Sequence, residues 1–239
     1  MLQGRSLIWI PCSDSASSPL DLKRIREPTR ATSEGRHHMI LTNQPGNQAH
    51  GFNLRPAKEK NGKTLSKDRI NHKNQLMASE VQQYYVERGV TPYILYVLQG
   101  AVIFAGDFIR QFHKEFIYEL AGVRAKSYEQ NEKKGPVEIA VGQIDPELVR
   151  GQSLLVMDDI IETGETLLRF KELLLEMGAS EVKTLVLLDK PSKRQFLIEP
   201  DWKGFEIQED QWVFGYGMDY NGKLRHYPNV VTLVPRNDS

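Results

Sequence analysis

Short apolar runs and helix-spaced apolar residues alternate along the chain beyond its first third. The runs at 93–98, 154–157 and 182–188 are bounded by turn residues, so they predict strands that are buried on both faces. Residues 167–177 carry apolar side chains at helical spacing and stop before Gly178, which predicts an amphipathic helix. A strand, a helix and a strand within about 35 residues predict a βαβ unit with parallel strands and a right-handed crossover.

The segments around this unit have weaker patterns. Helical spacing over 70–88 stops at Gly89 and predicts a helix, whereas residues 104–120 carry a mixed helical periodicity. Residues 128–135 are charged and end at Gly135, which Pro136 follows, and this pattern predicts a mobile loop; 137–144 predicts a strand that closes it. The alternation of strands and helices is typical of an α/β fold.

Residues 1–50 differ from the rest of the chain because they are rich in Ser, Arg, Asn, Gln and Pro and show little periodicity. Such a segment buries too little apolar surface to offset its chain entropy, so we predict a disordered or loosely packed N-terminal extension. Residues 51–239 then form one domain, which suits a chain of 239 residues.

Composition excludes several classes of function. Lys and Arg total 31 and Asp and Glu total 31, a balance that argues against nucleic acid or a membrane surface as the main partner. The single Cys12 excludes an internal disulfide and a Cys-based zinc site. No apolar run approaches the roughly 18–20 residues of a transmembrane helix. A cytoplasmic protein is the expectation that fits these observations.

The most informative segment is the strand predicted at 154–157 and the residues after it. Asp158 and Asp159 follow this strand, and a Thr-Gly-Glu-Thr turn over 163–166 opens the next helix. Backbone N–H groups at a helix N-terminus favour phosphate, whereas the carboxylates suit sugar hydroxyls, a metal ion or proton transfer. Gly100 and Lys190 follow the other two strands, and ligands bind beyond the carboxyl ends of such parallel strands.

These residues resemble a known family. The segment 156–166 resembles the phosphoribosyl pyrophosphate (PRPP) motif of the type I phosphoribosyltransferases, most of all that of the hypoxanthine-guanine branch. In the family's order, 98–101 resembles its pyrophosphate loop, 124–128 the start of its flexible lid, and 212–221 with Arg225 its purine-binding and C-terminal site. The resemblance implies the type I phosphoribosyltransferase fold, a central parallel sheet flanked by helices, with a small hood formed by the chain ends.

The resemblance also implies an activity in purine salvage. The enzyme would transfer the phosphoribosyl group of PRPP to N9 of hypoxanthine or guanine, giving IMP or GMP and pyrophosphate. Mg²⁺ would be the cofactor, held by Asp219 and Asp158, and a homodimer or homotetramer would be the assembly.

Individual roles follow from the same resemblance. Asp158 and Asp159 would bind the ribose hydroxyls, and Gln99 and Gly100 the pyrophosphate through their backbone N–H groups. The residues expected to bind the 5′-phosphate are Thr163, Gly164, Glu165 and Thr166. Lys190 would donate to O6 of the base and so reject adenine.

The purine site and the lid complete the implied set. Trp212 would stack on the base, and the backbone of Val213 would read its edge. Arg225 would contact pyrophosphate, for which a planar guanidinium is well suited. Ser127 and Tyr128 belong to the lid segment, which would exclude water during the reaction.

Two positions depart from the family's pattern. Glu162 stands where the hypoxanthine-guanine branch has Asp, the residue proposed as the general base, and Gln99 stands where Lys or Arg is usual. A catalytically degenerate PRPP- or nucleotide-binding regulatory protein of the same fold is therefore an alternative, and an enzyme that also uses xanthine is another. The complete set of purine-site residues favours an enzyme.

Overall fold

Nine strands and four α-helices make up the part of the chain that the computed structural model describes, residues 52–130, 133–139, 144–207 and 212–235. In chain order they are β1 (Phe52–Pro56), α1 (Lys67–Arg88), β2 (Tyr93–Leu98), α2 (Val102–Ile109), β3 (Glu119–Gln130), β4 (Lys133–Ile139), α3 (Pro146–Val149), β5 (Ser153–Ile161), α4 (Glu165–Glu176), β6 (Glu181–Asp189), β7 (Trp202–Glu206), β8 (Val213–Phe214) and β9 (Val231–Pro235). The extension predicted at 1–50 lies outside the described residues.

A six-stranded sheet with the order β4-β3-β2-β5-β6-β7 forms the centre of the fold. Strands β3, β2, β5, β6 and β7 run parallel, and β4 is antiparallel to β3 at one edge. The predicted strand at 93–98 is confirmed as β2, and those at 154–157 and 182–188 are the inner parts of β5 and β6. The parallel βαβ unit is therefore confirmed.

Helices cover both faces of this sheet. Alternate side chains of a strand point to opposite faces, so each inner strand contributes to two cores. In β5, Leu155 and Met157 pack into a core with α1 and α2, whereas Leu154 and Val156 pack into a second core with α4. All four residues are fully buried. This is why the inner strands read as continuous apolar runs, and the expected flanked parallel sheet is confirmed.

The helix predicted over 70–88 is confirmed as α1. The Ser66 hydroxyl accepts from the Arg69 N–H at its start, and Gly89 ends it in the left-handed conformation, with φ 64°. The helical reading of 104–120 was too long, because α2 ends at Ile109. Beyond it, aromatic side chains pack on one another from turns and loops, so their apolar spacing imitated a helix.

The loop predicted at 128–135 and the strand predicted at 137–144 were wrong in their bounds. β3 continues to Gln130 and β4 already begins at Lys133, so these two strands form an antiparallel ribbon. Its ladder is made by backbone groups, and hydrogen bonding of the backbone needs no apolar pattern in the sequence.

A separate three-stranded antiparallel sheet, in the order β1-β9-β8, forms the hood. Phe52 pairs with Pro235, and Val213 with Thr232, so the hood joins both ends of the described chain. A hood formed by the chain ends was expected and is confirmed. Among the helices of the described residues, none is both long and apolar enough to span a membrane.

Candidate active site

A cavity of about 350 Å³ lies at the carboxyl ends of β2, β5 and β6. This is the sheet edge at which the sequence predicted a ligand site. Nine residues predicted from the sequence line it, together with Ile160 and Met218. The nine are Gln99, Gly100, Asp159, Glu162, Lys190, Trp212, Val213, Asp219 and Arg225.

The predicted pyrophosphate loop joins β2 to α2. The Leu98–Gln99 peptide bond is cis, and the Gln99 side chain is exposed. A Cβ on Gly100 would lie 1.9 Å from Oδ2 of Asp159. Only glycine therefore allows the Asp159 carboxylate to approach this loop so closely.

The sequence predicted that Asp158 and Asp159 follow the strand, but both residues lie within β5. The ladder continues past them, because Asp158 pairs with Val186 and Ile160 with Leu188 of β6. The Asp158 Oδ1 accepts the N–H of Asp159 at 2.9 Å, and the Asp159 Oδ1 accepts that of Ile160 at 2.9 Å. The Asp159 side chain lines the cavity, whereas Asp158 is not among its lining residues.

Burial dominates the electrostatics of this pair. It raises the pKa of Asp158 well above the usual carboxyl range, and the neighbouring Asp159 raises it further. Burial also raises the pKa of Asp159, although its hydrogen bonds with Asp158 and Ile160 and the charge of Arg225 oppose the rise. A cation or the hydroxyls of a sugar would stabilise both carboxylates in their charged form.

The turn predicted to bind phosphate precedes α4. Gly164 takes the left-handed conformation, with φ 89°, directly before the helix begins at Glu165. The Glu165 N–H donates to the Thr163 hydroxyl at 3.3 Å. The residues Thr163 to Thr166 are not among those that line the cavity of about 350 Å³.

Glu162 and Lys190 form an ion pair inside the cavity. The Lys190 Nζ donates to Oε1 of Glu162 at 2.5 Å, and Lys193 Nζ lies 3.9 Å from Oε2. Lys190 is buried, whereas the Glu162 side chain is 40% exposed. This pair was not predicted from the sequence, although opposite charges that follow neighbouring parallel strands were a signal for it.

A buried ionic cluster beside this pair was also missed. Asp189 is fully buried at the end of β6, where it accepts from Arg194 Nη2 at 2.6 Å and from Lys203 Nζ at 2.8 Å. The hydrogen bond to Asp189 raises the pKa of Lys203. No motif marks these residues, since the pairing of β6 with β7 brings Lys203 to Asp189.

The segment before β9 closes the other side of the cavity. A Cβ on Gly217 would lie 2.1 Å from the Gly100 carbonyl oxygen, so this segment packs directly on the pyrophosphate loop. Arg225 donates to the Gly217 carbonyl at 2.8 Å and forms a 2.7 Å ion pair with Asp219. Trp212 is 66% exposed beside the buried Val213, which leaves its ring available to a ligand.

The donor set suits a magnesium ion that is shared with a substrate. No cluster of three or more His, Cys, Asp or Glu residues able to hold a metal occurs among the described residues. Mg²⁺ is usually bound by one or two carboxylates together with substrate phosphates and waters. Asp159 and Asp219 line the same cavity and meet that requirement, with the buried Asp158 next to Asp159.

Ser127 and Tyr128 lie on β3. Ser127 is paired with Val137 of β4, and the register of the ribbon shifts between Ser127 and Glu129. Their side chains are outside the described part of the structure, so their role in a lid stays a prediction.

The fold and this cavity together define a phosphoribosyltransferase. In agreement, the sequence profile described as phosphoribosyl transferase domain matches residues 66–221. The chain belongs to this family, and to its hypoxanthine-guanine branch.

Relatives of this branch cover most of the domain. The hypoxanthine-guanine phosphoribosyltransferase of Lactococcus lactis is 34% identical over 171 residues, which are 72% of this chain and 90% of that protein. The enzyme of the same name from Bacillus subtilis is 33% identical over 172 residues, 72% of this chain and 92% of that protein. The crystal structure of a hypoxanthine phosphoribosyltransferase from Staphylococcus aureus superimposes with a TM-score of 0.65 at 27% identity, covering 73% of this chain and 92% of that one.

Proposed function

We propose that this protein transfers the phosphoribosyl group of PRPP to N9 of hypoxanthine or guanine and releases pyrophosphate. The products are IMP and GMP, so the role is purine salvage. One observation carries the proposal: the Lys190–Glu162 pair shares a cavity with Asp159, Asp219 and Arg225. A purine partner and a diphosphate partner therefore have complementary groups within one site.

The purine follows from the chemistry of the ion pair. O6 and N7 lie on the same edge of a 6-oxopurine. Lys190 offers a donor to O6, and Glu162 offers an acceptor to a proton on N7. The Glu162 carboxylate takes the N7 proton while N9 bonds to C1′ of the ribose, which is general-base catalysis. Adenine carries an amino group at position 6, so it would meet the Lys190 ammonium donor to donor.

PRPP occupies the remainder of the site. Asp158 and Asp159 accept hydrogen bonds from the ribose 2′- and 3′-hydroxyls, and the turn before α4 donates its N–H groups to the 5′-phosphate. The backbone at Gly100 and the Arg225 guanidinium bind the pyrophosphate. Asp219, with Asp158 and Asp159, would hold Mg²⁺, which neutralises charge on the leaving pyrophosphate when it is bound.

The rival functions predict different substrates. A regulatory protein would bind PRPP without turnover. The features that favour it are Gln99, which is exposed and stands in place of the usual Lys or Arg, and Glu162, whose side chain is longer than that of the usual Asp. An enzyme with a wider range would accept xanthine, which differs from hypoxanthine at C2. A cytoplasmic location and a dimeric or tetrameric assembly stay predictions.

The test is turnover of the full-length protein with PRPP and Mg²⁺ and, in turn, hypoxanthine, guanine, xanthine and adenine. We expect nucleotide formation from hypoxanthine, guanine or both, and none from adenine. Turnover of xanthine would broaden the substrate range. If calorimetry shows that PRPP binds but no base is converted, the regulatory alternative is correct.

A further inference from the structure

Residues 163–166 form the turn proposed to bind the 5′-phosphate. Carbonyl oxygens at its start are bound by a segment from another part of the chain, residues 194–198. Arg194 Nη1 donates to the Glu162 carbonyl at 2.6 Å. The next two residues, Gln195 and Phe196, donate their backbone N–H groups to the Thr163 carbonyl at 2.9 and 3.0 Å. The carbonyls of Glu162, directly before the turn, and of Thr163, its first residue, are thus paired with three consecutive residues of this segment.

Gly164 packs against the same segment. A Cβ at this position would lie 2.7 Å from Cγ2 of Ile198 and 3.0 Å from Cδ of Arg194. Its left-handed conformation, with φ 89°, turns the chain into α4 at this contact. The 194–198 segment therefore supports the turn through both hydrogen bonds and van der Waals contact.

Arg194 is held at both ends of its guanidinium. Nη1 binds the Glu162 carbonyl, and Nη2 binds the fully buried Asp189 at 2.6 Å. Its side chain is only 11% exposed, and Lys203 fixes the other oxygen of Asp189 at 2.8 Å. Arg194 thereby connects the turn to Asp189, the last residue of β6, which directly precedes Lys190.

An anion-binding turn needs its N–H groups directed at the ligand and its carbonyls directed away from it. A carbonyl oxygen near a phosphate dianion would repel it, and a buried carbonyl without a partner is costly. We infer that Arg194 is a positioning residue, which fixes the Glu162–Thr163 carbonyls behind the turn and leaves the N–H groups for the 5′-phosphate. This inference rests on the proposed function, because it presumes a 5′-phosphorylated ligand.

The experiment compares IMP with inosine, which lacks the 5′-phosphate. Calorimetry on the full-length protein gives the two dissociation constants, and their ratio isolates the contribution of the phosphate. In Arg194→Gln we expect IMP affinity to fall by about 10-fold or more, as for loss of a hydrogen bond from a charged group, with inosine affinity changed less than about 3-fold. Arg169→Gln removes an arginine with one ion pair from α4 and is the control, in which both affinities should be kept.

A loss of folded protein would lower the number of binding sites and leave the ratio unchanged, so the ratio separates positioning from stability. If Arg194→Gln does not fold, Arg194→Lys keeps a positive charge near Asp189 but does not make both bonds, and it should lose part of the phosphate contribution. An unchanged ratio in the folded variant would overturn the inference and leave the proposed function intact. Wild-type protein that binds IMP no better than inosine would overturn both.

Discussion

At the scale of single residues, the Glu162–Lys190 pair determines how the site is understood. Glu162 is the position at which this chain differs from the usual Asp of its branch, and its carboxylate is held 2.5 Å from the ammonium of Lys190. The pair places the acceptor beside the donor, so the two groups that would read the purine edge are already adjacent. A purine then exchanges one ion pair for two hydrogen bonds.

Changing Lys190 to Ala should lower kcat/KM for hypoxanthine and guanine by roughly 10–200-fold, the effect of one hydrogen bond from a charged group. PRPP affinity should change little, because Lys190 lies on the purine side of the cavity. Steady-state kinetics and calorimetry measure the two quantities. Lys183→Ala is the matched control, since Lys183 lies on β6, the strand that Lys190 directly follows, and is paired with Asp201 at 2.9 Å.

In that control, stability should fall while kcat/KM is kept. Equal kcat/KM for both bases in wild type and Lys190→Ala would remove Lys190 from the site.

Most individual site residues could be predicted from the sequence, because they directly follow apolar strands or lie in recognisable motifs. The Asp189–Arg194–Lys203 cluster could not. Its members are brought together by the pairing of β6 with β7 and by the path of the chain after β6, and neither is written in local periodicity. That Thr163–Thr166 do not line the cavity of about 350 Å³ could likewise not be predicted from a motif.

At the scale of elements, β5 carries two adjacent carboxylates, those of the buried Asp158 and the partly buried Asp159. Their raised pKa values mean that the charged forms destabilise the folded chain. Below the pKa of the unfolded state, a carboxyl of this kind does not reduce the free energy of unfolding. Stability is then lost as the pH rises through the raised pKa of the folded state. The site therefore reduces stability at neutral pH in exchange for affinity towards cations and hydroxyls.

Changing Asp158 to Asn should raise the free energy of unfolding at pH about 7 and have little effect near pH 3, below the ordinary Asp value. The Asn oxygen still accepts the Asp159 N–H, so the strand is kept. Urea unfolding at the two pH values measures the effect, and calorimetry should show weakened PRPP binding. Asp68→Asn, at the start of α1, is the control at a carboxyl that is exposed.

If the difference in stability between wild type and Asp158→Asn were independent of pH, the pKa of Asp158 would not be raised in the folded protein. If PRPP bound with wild-type affinity, the ribose-binding role of Asp158 would be wrong.

The elements that could be predicted are those with a strong hydrophobic pattern. Strands β2, β5 and β6 and helices α1 and α4 belong to this group, because burial on one or both faces demands regular apolar positions. The β3–β4 ribbon and the end of α2 could not be predicted, since backbone pairing and aromatic packing decide them. Sheet order also follows from tertiary contacts and not from periodicity.

At the scale of the whole molecule, the hood depends on both ends of the described chain. β1 pairs with β9 along five residues, from Phe52 with Pro235 to Pro56 with Val231. β8 adds to the other side of β9, directly after Trp212. Trp212, the proposed stacking residue, therefore directly precedes a strand of the sheet to which β1 also belongs.

Removing residues 1–50 should leave turnover largely unchanged and the Tm within a few degrees, because every site residue and every described element lies beyond them. Removing residues 1–56 also deletes β1 and is the comparison: we expect a lower Tm and weaker purine binding. Thermal unfolding and steady-state kinetics measure both. Loss of most activity on removal of 1–50 alone would show that the extension contributes to the domain or its assembly.

The proposed function requires that the chain is an active enzyme in which Glu162 serves as the general base. The most direct test is the rate of IMP formation from PRPP and hypoxanthine by wild type, Glu162→Gln and Glu162→Asp. Wild type should turn over, and Glu162→Asp should retain activity. Glu162→Gln should lose about 10²–10⁴-fold in kcat with PRPP affinity kept, as for a missing general base. An inactive wild type beside an active Glu162→Asp, or a Glu162→Gln as fast as wild type, would contradict the claim.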